Sequence, residues 1–217
     1  MEMIPAKQLA EFESDAERKV YKKLERIDWP GWVCLHSVFL AEHDYQRSGE
    51  IDFLLIGPLG VFVLEIKGGR VRVDEKHVWI HKNRWGQETR KSKSPFKQAN
   101  ENMHTLLGDL KADGFQCRDL RVGYGVIFTD IIFDTKSTEW VSEQVLDVNS
   151  MKSQGEFETA LEMHISYWQK MQVCPNLVLE SIQEYVDYLR PRFDRIPTMR
   201  SRIDDISVHS TSLTKEQ

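Results

Sequence analysis

Two apolar runs joined by a glycine-bounded turn do most to limit what this chain can fold into. Gly49-Glu50-Ile51-Asp52-Phe53-Leu54-Leu55-Ile56 and Val61-Phe62-Val63-Leu64-Glu65-Ile66-Lys67 flank Gly57-Pro58-Leu59-Gly60. A turn of that composition between two such runs predicts a β-hairpin in which Ile56 meets Val61. Residues equidistant from the turn then face each other, Asp52 opposite Glu65 and Glu50 opposite Lys67. Side chains alternate with a period of two, so all four charges are expected on one face, the face of Leu54, Ile56, Val61 and Val63. Two carboxylates opposite each other, with Cβ atoms roughly 5 Å apart, destabilise the pairing. A bound cation removes that penalty.

The remaining sequence supplies a sheet and helices around the hairpin. Leu9, Phe12, Ala16, Val20, Leu24 and Ile27 recur at helical spacing and predict one amphipathic helix over 6–27, stopped by Pro30-Gly31. Trp32 to Leu40 reads as a strand, and 70–73 and 78–80 as a shorter continuation of the hairpin sheet. Ser94-Pro95 is a helix start, with Phe96, Ala99, Met103, Leu106, Leu107 and Leu110 as the buried stripe and an end near Gly114. The run 122–129 is a strand covered on both faces, so helix followed by strand implies a crossover. Two more helices are expected over 157–171 and 177–189. The reading is one α/β domain over 1–190 and a polar linker or tail over 191–217.

Composition narrows the function classes. A net charge of −5 argues against a uniformly basic nucleic-acid coat, yet Lys82, Arg84, Arg90, Lys91, Lys93 and Lys97 form a local basic run that meets only Glu88. Such a run is suited to contact a nucleic-acid backbone. Trp79 and Trp85 lie close to it and offer stacking surfaces, although buried tryptophans are commoner. His77 and His81 would share a strand face but have no third ligand near in sequence. Three widely spaced cysteines, Cys34, Cys117 and Cys174, without a Cys-x-x-Cys pair, suit core thiols in a reducing compartment. With no apolar run of spanning length and no signal-peptide pattern, a cytoplasmic protein with no membrane association is expected.

The hairpin carries the chemistry. Asp52 and Glu65 lie in apolar strands, where an unpaired carboxylate would take up a proton and a divalent cation between two would keep both ionised. Oxygen-only ligands favour magnesium, or manganese, over zinc. Lys67 adds a fixed positive charge on the same face, able to orient a water or hold a scissile phosphate.

This arrangement resembles the PD-(D/E)xK nucleases, and Gly49 to Lys67 resembles specifically the NERD (nuclease-related) domain, whose signature runs acid, apolar strand, Gly-bounded turn, apolar strand, Glu-x-Lys. The resemblance covers roughly residues 10–130: a leading helix with an acid, matching Glu17; then Asp52; then Glu65 and Lys67; then a Pro-x-x-Gln-Ala helix start, Pro95-Phe96-Lys97-Gln98-Ala99. The superfamily's proline before the aspartate is Ile51 here. The resemblance implies a restriction-endonuclease-like core, a mixed central β-sheet flanked by helices in the order αβββαβ. It implies a metal held by Asp52, Glu65, the Ile66 carbonyl and Glu17, with Lys67 stabilising the attacking hydroxide or the phosphorane and Gln98 supporting substrate or metal shell. It further implies hydrolysis of DNA. Leu213-Thr214-Lys215-Glu216-Gln217 resembles the entry motif of superfamily-one helicases, companions of NERD domains, and suggests a helicase domain further along the same polypeptide. A non-catalytic nucleic-acid-binding or docking module, and a pure protein-interaction domain, are the competing readings.

Overall fold

The computed structural model describes residues 1–8, 11–12, 14–40, 49–83 and 85–193. Leu9, Arg84 and the stretch 194–217, with its helicase-like motif, lie outside the described residues. Among the described residues, nine strands and four α-helices follow in order: β1 (Glu2–Ile4), α1 (Asp15–Glu25), β2 (Val33–Leu40), β3 (Gly49–Gly57), β4 (Gly60–Lys67), β5 (Arg70–Val73), β6 (Trp79–Lys82), β7 (Glu88–Lys91), α2 (Pro95–Ala112), β8 (Val122–Phe128), β9 (Val145–Leu146), α3 (Gln154–Met171) and α4 (Leu179–Leu189). The main sheet has six strands in the order β1-β2-β3-β4-β8-β9. Within it β2, β3 and β4 are antiparallel, whereas β8 joins β4 in parallel after the α2 crossover. The α1-β2-β3-β4-α2-β8 succession is the expected αβββαβ core, a mixed sheet flanked by helices with a restriction-endonuclease-like arrangement.

Three layers result because β3 and β4 are apolar on both faces. Phe53, Leu55, Phe62, Leu64 and Ile66 pack under Ala16, Val20, Tyr21 and Leu24 of α1 and Phe157, Leu161 and Ile165 of α3. On the opposite face Leu54, Ile56, Val61 and Val63 meet Ala99, Met103, Leu106 and Leu110 of α2 and Ile182, Tyr185 and Val186 of α4. The turn needs its glycines: a Cβ on Gly57 would stand 2.1 Å from the Trp32 ring, and Gly60 has φ +131 with the Arg121 carbonyl 2.4 Å from where a Cβ would be.

Several expectations change. The first helix begins at Asp15 rather than residue 6, because Ser14 caps it by accepting from the Glu17 amide. Phe12 continues the apolar spacing from outside the helix, packing its ring on Tyr21 at 4.9 Å. The chain start, expected to lead into that helix, forms β1 beside β2. The residues after Gly69 do not extend the main sheet. They make a separate three-stranded sheet, β5-β6-β7, whose last strand carries part of the basic run. His77 sits at φ +58 in the turn before β6, not on the strand with His81. All three cysteines are free, and only Cys34 is fully buried. Among the described residues, no helix is long and apolar enough to cross a membrane.

Candidate active site

The hairpin register is the one expected near the turn, with Ile56 opposite Val61 and Phe53 opposite Leu64, and the recorded pairing stops there. Asp52 does not continue it as a regular pair with Glu65. Its Oδ2 accepts from the Ile66 amide at 2.6 Å, so a side chain serves a backbone donor where the two strands part. Ile51 packs in the same cluster as Leu54 and Ile56 rather than with Phe53 and Leu55, so β3 shifts phase at Asp52. β2 shifts at the same level. Ser37 falls between the pairs His36–Phe53 and Val38–Ile51 and has φ +55, and Leu35 and Val38 share one cluster. Glu50, paired across to Phe39, is exposed and out of phase with Leu54, so it does not join Lys67 on one face as simple alternation predicted. Asn102 of α2 donates to the Glu50 carbonyl at 2.8 Å and holds that end of β3 against the helix.

Glu65 remains in phase with Val61 and Val63, and only 1% of it is exposed. Its Oε1 pairs with the Lys67 ammonium, while its Oε2 is buried with no hydrogen-bond partner among the described residues. Desolvation raises the Glu65 carboxyl above the usual range, and Lys67 opposes that rise. Desolvation raises Asp52 further, the Glu65 charge adds to it, and Lys67 and the Ile66 amide work against it. The two acids therefore share one electrostatic site.

Glu17 comes to this site on the first turn of α1, a helix moored by Lys19 to Asp130 at 2.6 Å and by Asp130 to the Gly69 amide at 2.7 Å. Its carboxylate lies 3.0 Å from Nε2 of His36. A carboxylate only accepts, so that nitrogen carries the proton. Burial pushes Glu17 up, but the bond from His36, the His36 charge and the Ser14 hydroxyl together bring it below the usual glutamate value. Phe12, Tyr21 and Phe53 enclose the imidazole at 5.1, 6.2 and 4.8 Å. Arg190, which caps α4, donates to the His36 carbonyl at 2.5 Å and to the Ser37 carbonyl. His36 escaped the sequence reading; the one signal was an imidazole inside the otherwise apolar run of β2.

Glu17, Asp52 and Glu65 act on one another electrostatically, yet among the described residues no three His, Cys, Asp or Glu side chains are gathered closely enough to enclose a metal. Each acid is engaged elsewhere: Glu17 by His36, Asp52 by the Ile66 amide, Glu65 by Lys67. The donor set nevertheless fits a hard divalent cation. It is oxygen-only, it contains two repelling carboxyls, and it leaves one buried carboxylate oxygen without a partner.

The basic run divides between the two faces of the small sheet. Register places Lys91 opposite Trp79, and Arg90 opposite Ile80. Lys91 turns to the site, its Nζ 3.4 Å from Oε1 of Gln98. Arg90 pairs with Asp74 at 3.4 Å, Lys93 pairs with Glu101 at 2.6 Å, and Lys82 and Lys97 are exposed. Trp79 is core, packed on Phe96 and Trp140, whereas Trp85 is 74% exposed at the tip of the β6–β7 hairpin. His81, set aside as a metal ligand in the sequence, stands near Lys67 and Lys91.

The family model described as nuclease-related domain, NERD, matches residues 13–129, more than half of the chain. No curated protein and no solved structure matches it. The matched segment runs from the start of α1 to the end of β8 and so contains Glu17, His36, Asp52, Glu65, Lys67 and Gln98. The chain belongs to the nuclease-related domain family.

Proposed function

We propose that this domain is a metal-dependent nuclease that hydrolyses DNA phosphodiester bonds and delivers cleavage for a helicase carried on the same polypeptide. The observation that carries the reading is the Glu65 carboxylate, held in a desolvated site beside Asp52 with one oxygen unpartnered.

Asp52, Glu65, the Ile66 carbonyl and Glu17 would hold a magnesium or manganese ion, which when bound supplies an acidified water and neutralises charge on the phosphate. Lys67 brings a fixed ammonium whose side chain is 14% exposed, placed to stabilise charge on a phosphate oxygen and to orient the attacking water. His36 fixes the Glu17 carboxylate from behind. Gln98, on the first turn of α2, carries the Lys91 ammonium towards the strand to be cut. Lys82, Arg84, Arg90, Lys93 and Lys97 would contact backbone phosphates further from the bond cleaved.

The test is incubation of the protein with linear and circular DNA in magnesium or manganese, against Asp52→Asn, Glu65→Gln and Lys67→Ala. Each variant should lose at least about 100-fold in rate, roughly 3 kcal/mol of barrier. Equal cleavage by wild type and variants would refute the reading. DNA binding with no metal-dependent turnover would establish instead a binding or docking module, the alternative favoured by the engagement of all three acids within the protein.

A further inference from the structure

Next to the carboxylates Lys67, His81 and Lys91 converge, and of the three, among the described residues, Lys67 alone is matched by a carboxylate, that of Glu65. Trp79 and His81 alternate onto one face of β6, and Lys91 and Thr89 of β7 lie opposite them, so all four share that face. The packing of Trp79 on Phe96, at 6.5 Å between ring centroids, turns this face toward the start of α2, where Gln98 meets Lys91. Both ring nitrogens of His81 are buried with no hydrogen-bond partner among the described residues. Among the described residues, the Lys91 ammonium hydrogen-bonds to a neutral amide, that of Gln98. Burial pushes the Lys91 ammonium below the usual lysine value, and Lys67 pushes it further. His81 is brought down to about 4 by desolvation, Lys67 and Lys91.

We propose that Lys67, His81, Lys91 and Gln98 form a phosphate subsite at the root of the β6–β7 hairpin, which holds a backbone phosphate of the nucleic-acid strand beside the bond that the carboxylates act on. The proposal rests on the nuclease reading and extends it to the grip on the substrate. Two ammonium groups beside the ring exclude a second cation there. An anion removes their mutual repulsion and gives the imidazole N–H an acceptor. A tetrahedral phosphodiester offers oxygens in several directions, which suits donors arriving from β4, β6 and β7 at once. The positive end of the α2 dipole lies at the same place, since Gln98 belongs to the first turn of that helix.

The experiment uses the full chain without divalent metal, with inorganic phosphate and a 5′-phosphorylated thymidine dinucleotide as probes and the His81 imidazole resonances as readout. Wild type should show a saturable shift of those resonances, and Lys91→Met should abolish it. In cleavage assays with metal, Lys91→Met and His81→Asn should raise KM about tenfold, about 1.4 kcal/mol of binding, with kcat within about twofold. An unmoved His81 resonance, or an unchanged KM in both variants, overturns the subsite and leaves the nuclease reading standing. If wild type cleaves nothing, that reading fails while the resonance readout still decides the subsite. If His81→Asn melts early, Lys91→Met decides alone.

Discussion

The Oδ2 of Asp52 takes the Ile66 amide at 2.6 Å at the point where β3 and β4 separate, so the acid in the strand terminates the hairpin as well as furnishing a carboxylate. The separation opens the sheet between the two acids. Asp52 therefore serves the fold through one oxygen, while the charge it brings near Glu65 works against the fold.

The acid pair should cost stability in the metal-free protein. Both carboxyls have folded-state pKa values above the ordinary 3.8 and 4.5, so the native state holds their protons more tightly than the unfolded chain. Their contribution is full below the ordinary values and is lost as pH rises through the raised ones. Asp52→Asn keeps an acceptor for the Ile66 amide and removes the charge. At pH 8 without metal it should melt about 2–4 °C above wild type, corresponding to about 1 kcal/mol. Magnesium should raise the melting temperature of wild type and leave Asp52→Asn unmoved, as thermal unfolding with and without the ion will show.

The Glu17–His36 pair makes a separate prediction. Glu17 has a lowered folded-state value, so its contribution is present above the ordinary 4.5 and is lost as pH falls through that lowered value. In His36→Phe the ring still fills the space among Phe12, Tyr21 and Phe53, but Glu17 loses its donor. Carboxyl NMR should find Glu17 titrating above the usual glutamate range in that variant. For the proposed cleavage reaction, the rate should fall in this variant while DNA binding holds, because His36 positions the Glu17 carboxylate.

The hairpin, its turn, the acids and the α2 start were legible because each rests on local chemistry: glycines where the turn crowds Trp32 and Arg121, Ser94-Pro95 at a helix start, apolar runs on both faces. The phase shift was not. It arises from Ser37 and Asp52 on neighbouring strands, and nothing local in either strand announces that both distort together. Strict alternation therefore misplaced Glu50. The false start of the first helix has a similar origin, since Phe12 has helical spacing but reaches Tyr21 and His36 from outside the helix. His36 and His81 acquire meaning only from partners that the fold brings in, Glu17 for one and Lys67 with Lys91 for the other.

Arg121 ties the hairpin turn to the far end of the domain. It is buried just ahead of β8 and donates to the carbonyls of Leu59 at 2.7 Å, Gln172 at 3.2 Å and Cys174 at 2.6 Å. Removing the guanidinium leaves three acceptors without their donor. Arg121→Met should cost at least about 3 kcal/mol in urea unfolding, because each buried acceptor left without a donor costs about 1–3 kcal/mol. Arg121→Lys should recover less than half, because a single ammonium lacks the planar fork that spans three carbonyls.

His164 makes the fold acid-sensitive from a position far from the acids. It is fully buried in α3, its Nδ1 donates to the Glu143 carbonyl at 2.8 Å, and its Nε2 has no partner among the described residues. Desolvation brings it down from 6.5 to about 4, against the pull of that hydrogen bond. The unfolded chain thus binds a proton across a pH range in which the native state does not, so stability falls as pH drops from about 6.5 towards 4. The full span is worth about 3 kcal/mol. His81 contributes in the same direction, while Asp52 and Glu65 oppose it, so the wild-type curve alone does not isolate His164. His164→Gln retains a donor for the Glu143 carbonyl without the titration. The stability difference between wild type and His164→Gln, measured by urea unfolding at pH 7 and again near pH 4, should shift by about 3 kcal/mol in favour of the variant. A difference that stays constant between the two pH values would show that the buried imidazole takes up its proton no later than a solvated one.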